Sequence, residues 1–358
     1  MKRDLSVRAY REGDEEGIYT LWKVIHPEEH RDRDEWMRWW HWIHKKNPAG
    51  EGLIRLAEAN GRIVAHHMMV PIKYKINGQI SLCGLGTEAM THPDYRRRGL
   101  WKSTTEALLS DSVDMAISAI GTPNKLSHAA WSKVDGFFKV STTKVMVKPL
   151  NWKNFIRLKI KNKLLSRFLA TGAALVFDKI FFRTHKAPEI DGLAINRITS
   201  FDERFDRLWD RVPDRYPIMT VRNKDYLNWR YNTPGMEYSI YAAEEGSEVR
   251  GYLVLSDRLL RGARVSYVAD MIAESEAVMH CLVSKAVEEC HQSGIDFISY
   301  SLIANKAYHR ALRKNGFLFY PLMRDSYLGI YSNSKKVSQS YLQNPKNWLF
   351  QHGDTDTI

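Results

Sequence analysis

The chain has 358 residues, 44% hydrophobic and 26% charged, enough for two globular domains with cores of their own and unlike a disordered or fibrous protein. No run of eighteen apolar residues occurs and Met1-Lys2-Arg3-Asp4 opens no apolar leader, so neither a membrane span nor a secretory signal is expected. The formal net charge of +12 favours anionic partners; with no nucleic-acid motif beside it, phosphorylated small molecules are expected rather than nucleic acid.

In chain order, a Trp-rich helical stretch comes first, with Trp40-His41-Trp42-Ile43-His44 followed by Asn47-Pro48. Two apolar strands then flank Asn60-Gly61, which reads as a hairpin turn. An apolar run over 82–90 leads into Thr91-His92-Pro93-Asp94-Tyr95-Arg96-Arg97-Arg98-Gly99-Leu100-Trp101, and a helical run over 101–112 leaves it. A strand, a basic turn with glycine and a helix N-terminus together make a phosphate cradle. Amides of the first helical turn have no internal partner and point at an anion. Gly99 permits close approach or a dihedral that other residues avoid, and three arginines add charge that does not titrate away. A strand over 115–120, then Pro123-Asn124, a helical run and Gly136-Phe137 complete this half.

Within the stretch 151–183, residues 152–169 mix apolar and basic side chains and an apolar run over 173–182 follows, with Gly172 between them. It reads as a helical linker packed on the rest of the chain. A basic amphipathic helix resting on a membrane surface is the less favoured reading. The second half then repeats the first. Asn228-Trp229-Arg230-Tyr231 answers the Trp-rich motif, Glu245-Gly246-Ser247 the hairpin turn, and Ala304-Asn305 with Gly316-Phe317 the late motif. The phosphate cradle is not repeated. At that place the chain reads 267–277 with no arginine–glycine turn, and Asp270, Glu274 and Glu276 are expected to repel a diphosphate.

The Arg96-x-x-Gly99 turn after a strand ending in Thr-His-Pro resembles the acyl-CoA diphosphate loop of the GNAT superfamily of acyltransferases. Trp101 departs from that family's pattern, which has a small residue there. The resemblance implies an α+β fold of two tandem GNAT-like modules, each a central mixed sheet flanked by helices. The expected segments are 1–150 (binding acyl-CoA), 151–193 (helical linker), 194–330 (a degenerate module helping to form the acceptor site) and 331–358 (tail). The implied reaction is direct acyl transfer from acyl-CoA to an amine in a ternary complex. Met90, Thr91, His92, Arg96, Arg97, Arg98, Gly99, Leu100, Trp101 and Asn124 are then the cofactor contacts. The backbone over 90–92 would bond the pantetheine arm, and Asn124 would orient the thioester or cap a helix.

The amine must lose a proton. Glu88, on the strand entering the turn, is the leading candidate base. Strand alternation is expected to place it on one face with Met90 and His92, the second candidate. The tyrosine that protonates the leaving thiolate in many relatives is replaced by Ser132. His41, His44, His66 and His67 carry no zinc-site spacing, so no metal is expected. Cys83, Cys281 and Cys290 fit neither a disulfide framework nor a metal site; they read as reduced, buried thiols of a cytoplasmic protein.

For the acceptor, the motif over 226–231 and the ending 344–356 resemble GNAT-like proteins of bacterial polysaccharide gene clusters. Some of these N-acylate dTDP-linked amino-deoxy-sugars with acetyl-CoA or 3-hydroxybutanoyl-CoA. On that resemblance Tyr226, Trp229, Arg230 and Trp348 are the candidate acceptor contacts. Aminoglycoside or other small-amine acetylation is the runner-up, and a CoA-binding scaffold without turnover the non-enzymatic alternative. Oligomeric state is not readable.

Overall fold

A computed structural model describes residues 5–157, 187–212, 216–303, 305–320, 327–332 and 336–355. In the first half, β1 (Leu5–Ala9) is followed by α1 (Glu15–Ile25), α2 (Arg33–His44), β2 (Leu53–Ala59), β3 (Arg62–Ile76) and β4 (Gln79–Thr91). Then come α3 (Leu100–Asp111), β5 (Ile117–Gly121), α4 (Lys125–Trp131), β6 (Phe137–Thr142), β7 (Lys144–Pro149) and α5 (Trp152–Arg157). The second half begins with β8 (Leu193–Ile198), α6 (Glu203–Arg211), β9 (Ile218–Thr220), α7 (Lys224–Arg230), β10 (Tyr238–Glu245), β11 (Glu248–Leu260) and β12 (Ala263–Ala273). It continues through α8 (Glu276–Gln292), β13 (Phe297–Leu302), α9 (Lys306–Lys314), β14 (Leu318–Phe319), β15 (Tyr327–Tyr331) and α10 (Gln339–Gln343). The helical hairpin expected within 151–193 lies outside the described residues apart from α5. Among the described residues no helix is long and apolar enough to cross a membrane.

The strands form two mixed sheets of the same plan. One runs β1-β2-β3-β4-β5-β15-β6, with β9 added to β3; the other runs β8-β10-β11-β12-β13-β7-β14. Position by position, β4 corresponds to β12 and β5 to β13, and each of these central pairs is parallel. The tandem repeat read from the motifs is thus a repeat of topology. What the motifs do not show is the exchange of one strand. β7, from the first half, lies between β13 and β14, whereas β15, from the second, lies between β5 and β6. Each half completes the other's sheet and covers an edge that would otherwise expose unpaired backbone groups. The limits near 150 and 330 therefore mark stretches of chain and not separable bodies.

Two helices fix the contact between the halves. α2 starts on a capping box, in which the Asp32 side chain accepts from the Glu35 amide and Glu35 reaches back to the Asp32 amide. α7 starts on Asn223, whose side chain accepts from the Tyr226 amide. These are the repeat-related Trp motifs, and they meet face to face. The Trp42 and Trp229 rings stack with centroids 4.9 Å apart. Trp42 Nε1–H donates to the Trp229 carbonyl (2.7 Å), and Trp229 Nε1–H to the Trp42 carbonyl (3.0 Å). Such a reciprocal contact is what a local two-fold relation between the halves produces.

The core follows from coverage on both faces of the central strands. β3 is buried over nearly its whole length. One face packs on α1 and α2 through Ile18, Trp36, Trp40, Met68 and Met90, and the other on α3 and α4 through Met69, Leu108 and Trp131. Cys83, Cys281 and Cys290 are buried free thiols.

Candidate active site

β4 carries a β-bulge where it meets β3. His66 is registered with Met90 and Met68 with Thr87, so His67 alone opposes Glu88 and Ala89. Glu88 takes the left-handed backbone conformation, with φ +51°. The bulge corrects one expectation: registered partners share a face, so Met90 lies with Thr87, His66 and Met68, and the simple alternation linking Glu88 to Met90 and His92 is broken. Sequence alternation has no term for an inserted residue. Glu88 is half-buried, and its carbonyl accepts a 2.7 Å bond from His66 Nδ1. Since a carbonyl only accepts, His66 is protonated on Nδ1.

Beyond the bulge, β4 and β5 diverge. Their parallel pairing is confined to Cys83 with Ile117 and Leu85 with Ile120, yet β4 runs on to Thr91. Asn124 follows the end of β5 and directly precedes α4. Its Oδ1 accepts from the Ser127 amide at 3.0 Å, capping α4, as Asn305 caps α9 in the second half. At the end of β4, His92 Nδ1 accepts from the Asp94 amide (3.3 Å) and so shapes the turn Pro93–Tyr95.

The basic turn has the form of an anion cradle. Gly99 has φ +79°, and a Cβ there would meet nothing within 4 Å, so glycine is required by the dihedral and not by crowding. No side chain caps the first turn of α3. Arg96, Arg97 and Arg98 are exposed; Arg98 lies over the Tyr95 ring, 5.0 Å from its centroid. Trp101, in the first turn of α3, packs edge-on against Trp131, 5.5 Å centroid to centroid. A cavity of about 650 Å3 opens beside the turn, lined by Thr91, Arg96, Arg97, Gly99, Leu100 and Trp101. Thr105, Lys133 and Tyr331 line it as well. Tyr331 comes from β15, the exchanged strand, and no local motif announces it.

At the corresponding start of α8 the Ser275 side chain accepts from the Val278 amide, so that helix caps itself. The carboxylates there act otherwise than expected. Asp270 is fully buried and paired with Arg222; Glu274 pairs with Arg211 and Arg250, and Glu276 with Arg310. Charge repulsion is therefore not what distinguishes the second module. It lacks the glycine turn and the uncapped amides.

The candidate acceptor residues fall into two groups. Tyr226, Trp229 and Arg230 line a narrow cleft of about 30 Å3 between the halves, with Trp39, Trp42 and Leu85 opposite. Arg230 is buried and donates to the Gly353 carbonyl at 3.0 Å and the Thr355 carbonyl at 2.9 Å. Trp348 is buried elsewhere, with its ring edge-on to Tyr74 and Nε1–H donating to the Leu342 carbonyl (2.8 Å). A further concavity of about 300 Å3, unforeseen from the sequence, touches His92 from the α1 side, lined by Arg8, Asp14, Thr20 and Arg62.

His66 and His67 point to opposite faces. His66 packs against Trp40, and His67 Nδ1 lies 3.0 Å from Thr105 Oγ1. Among the described residues no cluster of three or more metal-ligating side chains occurs. Burial, the largest cause in each case, pushes His66 down to about 4 and His67 down to about 3. His44, similarly buried, is pushed to about 4. These rings stay neutral in the fold but take up protons near pH 6.5 when unfolded. Their stabilisation is complete above about pH 6.5 and is lost as the pH falls toward 4, on the order of 3 kcal/mol per fully buried ring. Thermal unfolding followed from pH 7.5 to 4.5 is expected to show a steep fall below pH 6.5. A flat profile would contradict neutral burial.

Residues 6–123 match the family described as acetyltransferase (GNAT) domain. Among solved structures, a GCN5-related N-acetyltransferase from Anabaena variabilis superposes with TM-score 0.62 at 12% identity, over 91% of this chain and 72% of that one. A GCN5-related N-acetyltransferase from Kribbella flavida gives TM-score 0.61 at 12% identity, over 92% and 71%. The N-myristoyltransferase of Saccharomyces cerevisiae with bound myristoyl-CoA gives 0.57 at 13% identity, over 92% and 83%. No curated protein sequence matches the chain. The two sheets are thus a pair of GNAT-like modules, and the first contains the acetyltransferase domain. Residues 6–123 thus carry an acetyltransferase (GNAT) domain, and the chain as a whole has the fold of the N-acyltransferases it superposes on.

Proposed function

We propose that the chain transfers an acyl group from acetyl-CoA or 3-hydroxybutanoyl-CoA to the amine of a nucleotide-linked, dTDP-type amino-deoxy-sugar in the cytoplasm. The observation that carries the cofactor half of this reading is the cavity of about 650 Å3 abutting the Arg96–Gly99 turn. The diphosphate sits on the uncapped start of α3 among the arginines. The pantetheine arm follows the edge of β4 over 90–92 into the opening between β4 and β5, and brings the thioester toward the Glu88 bulge. The substrate amine gives a proton to Glu88 and attacks the thioester carbon. The C–N bond forms, the C–S bond breaks, and the thiolate leaves as CoA and takes its proton from solvent, since Ser132 offers no phenol. His92, whose Nδ1 already holds the turn, serves in positioning.

The acceptor half is supported by charge and shape. A net charge of +12 suits a diphosphate-linked acceptor. The concavity bearing Arg8 and Arg62 meets His92 on the side opposite α3, and Trp39, Trp42, Tyr226 and Trp229 offer aromatic walls between the modules. The first module binds the cofactor, and the second completes the acceptor site.

Thiol release measured with several acyl-CoAs against amino-sugar nucleotides, aminoglycosides and polyamines tests this reading. Turnover is expected on the amino-sugar nucleotides. Turnover confined to aminoglycosides or polyamines would replace the acceptor, and CoA binding without any turnover would favour a scaffold. Glu88→Gln is expected to lower kcat by about a hundredfold or more while CoA binding stays within about twofold. Full activity in that variant would remove Glu88 as the base.

A further inference from the structure

The second module's opening between its central strands is occupied by the chain itself. β12 and β13 pair in parallel only over 265–267 and 297–299, although β12 runs on to Ala273 and β13 to Leu302. Between them runs the segment 348–355, whose Trp348 and Leu349 pair with Ile218 of β9 and whose contacts to β12 and β13 begin at Phe350. Its Gln351 side chain pairs with the Met271 backbone as a peptide would: Oε1 accepts from the Met271 amide at 3.0 Å and Nε2–H donates to the Met271 carbonyl at 3.2 Å. On the other side Gln351 bridges to Leu302, and the Phe350 carbonyl accepts from the Ile303 amide at 3.1 Å.

The correspondence with the first module can be counted from the bulges. β12 has its inserted residue at Ala269, between Val254–Asp270 and Leu255–Val268, where β4 has Glu88–Ala89. Two residues past Ala269 is Met271, and two past Glu88 is Met90. Gln351 thus bonds the backbone position that matches the start of the pantetheine-bonding strand in the first module. Gly353 lies directly on the second bulge. A Cβ there would fall 2.9 Å from the Ala269 carbonyl oxygen and collide with the Tyr231 hydroxyl. Asp354 anchors the end of the segment through Arg222 (2.9 Å) and Thr220 (2.8 Å). The same segment then presents Gly353, Asp354 and Thr355 to the cleft between the modules.

We infer that the second module's notch is a receptor for the chain's own segment 348–355, and that the segment docked there is a specificity-determining wall of the acceptor cleft. The second module keeps the GNAT opening and uses it to hold a strand of protein where the first holds a cofactor. Assigning the cleft to the acceptor rests on the proposed function; the docking does not. Two full-length variants test both parts: Gly353→Ala, which drives a methyl group into the bulge, and Gln351→Ala, which removes the paired amide without crowding. Hydrogen exchange at 350–355 and at the Met271 amide is expected to quicken at least tenfold in both. The acceptor KM, measured with the dTDP-linked amino sugar, is expected to rise at least tenfold with a smaller change in kcat, and the acetyl-CoA dissociation constant to stay within twofold. Unchanged exchange in both variants would overturn the docking. Quickened exchange with an unmoved acceptor KM would overturn the wall. If the parent chain leaves the amino sugar unacylated, the acceptor assignment falls, and the KM comparison is made with whichever amine of the panel it acylates.

Discussion

Reversing Arg96 and Arg98 together to glutamate is expected to raise the apparent Michaelis constant for acyl-CoA at least about a hundredfold, a loss of about 2.7 kcal/mol or more. Charge-assisted bonds to a phosphate contribute about 1.5–3 kcal/mol each, and reversal adds repulsion to their loss. Folding should be spared. Both side chains are exposed; among the described residues Arg96 makes a long 3.3 Å bond to the Thr91 carbonyl, and Arg98 a surface contact with Tyr95 worth about 0.5–1 kcal/mol. Steady-state kinetics with varied acetyl-CoA, alongside thermal unfolding, check both halves. An unaltered Michaelis constant would remove the diphosphate from the turn. A comparable fall in melting temperature and in affinity would mean that the arginines hold the fold.

Arg222→Met is expected to cost about 3–5 kcal/mol of stability, because it strands two buried carboxylates. Arg222 Nε–H donates to Asp270 at 2.9 Å and its terminal nitrogen to Asp354 at 2.9 Å, with each side chain 1% exposed. Tyr252 donates to Asp270 (2.9 Å) and Gln351 Nε2–H to the same carboxylate (2.6 Å), but neither supplies charge. Chemical denaturation of the variant should show the midpoint shift, and hydrogen exchange should locate the loosening at β12 and 348–355. A shift under about 1 kcal/mol would mean that the carboxylates take up protons at little cost. The expected loss lies far from the basic turn, so the remaining folded protein should bind CoA normally.

Features whose chemistry is local are legible in the amino-acid sequence. Thr91 to Trp101 reads as strand, basic turn and helix because unpartnered amides, a glycine dihedral and arginines fall within one turn. Asn60-Gly61 and Gly246-Ser247 are hairpin turns as their residues predict. Asn77-Gly78 and Arg261-Gly262 are two more hairpin turns, which the motif repeat does not single out. The Trp motifs are legible as a repeat but not as a contact. Two helices that resemble each other in sequence do not announce that they stack on each other.

What the sequence conceals depends on residues far apart in the chain. An inserted residue in β4 changes which side chains share a face without changing composition, so alternation groups Glu88 with Met90 by a rule that the bulge suspends. Asp270 reads as an exposed acid because Arg222 and Asp354, which set its surroundings, lie 48 and 84 positions away. Arg230 and Trp348 read as ligand contacts because large polar and aromatic side chains serve in cores and clefts alike.

The amino-acid sequence by itself determined that there are two related halves and that one of them has a basic glycine turn at an uncapped helix start, since hydrophobic periodicity, glycine placement and charge act over a few residues. Only the tertiary structure decided that the halves trade strands and that one notch stays open while the other holds the chain's own segment. Those outcomes come from pairing backbone edges and burying charge across hundreds of residues, and no local pattern encodes which edge meets which.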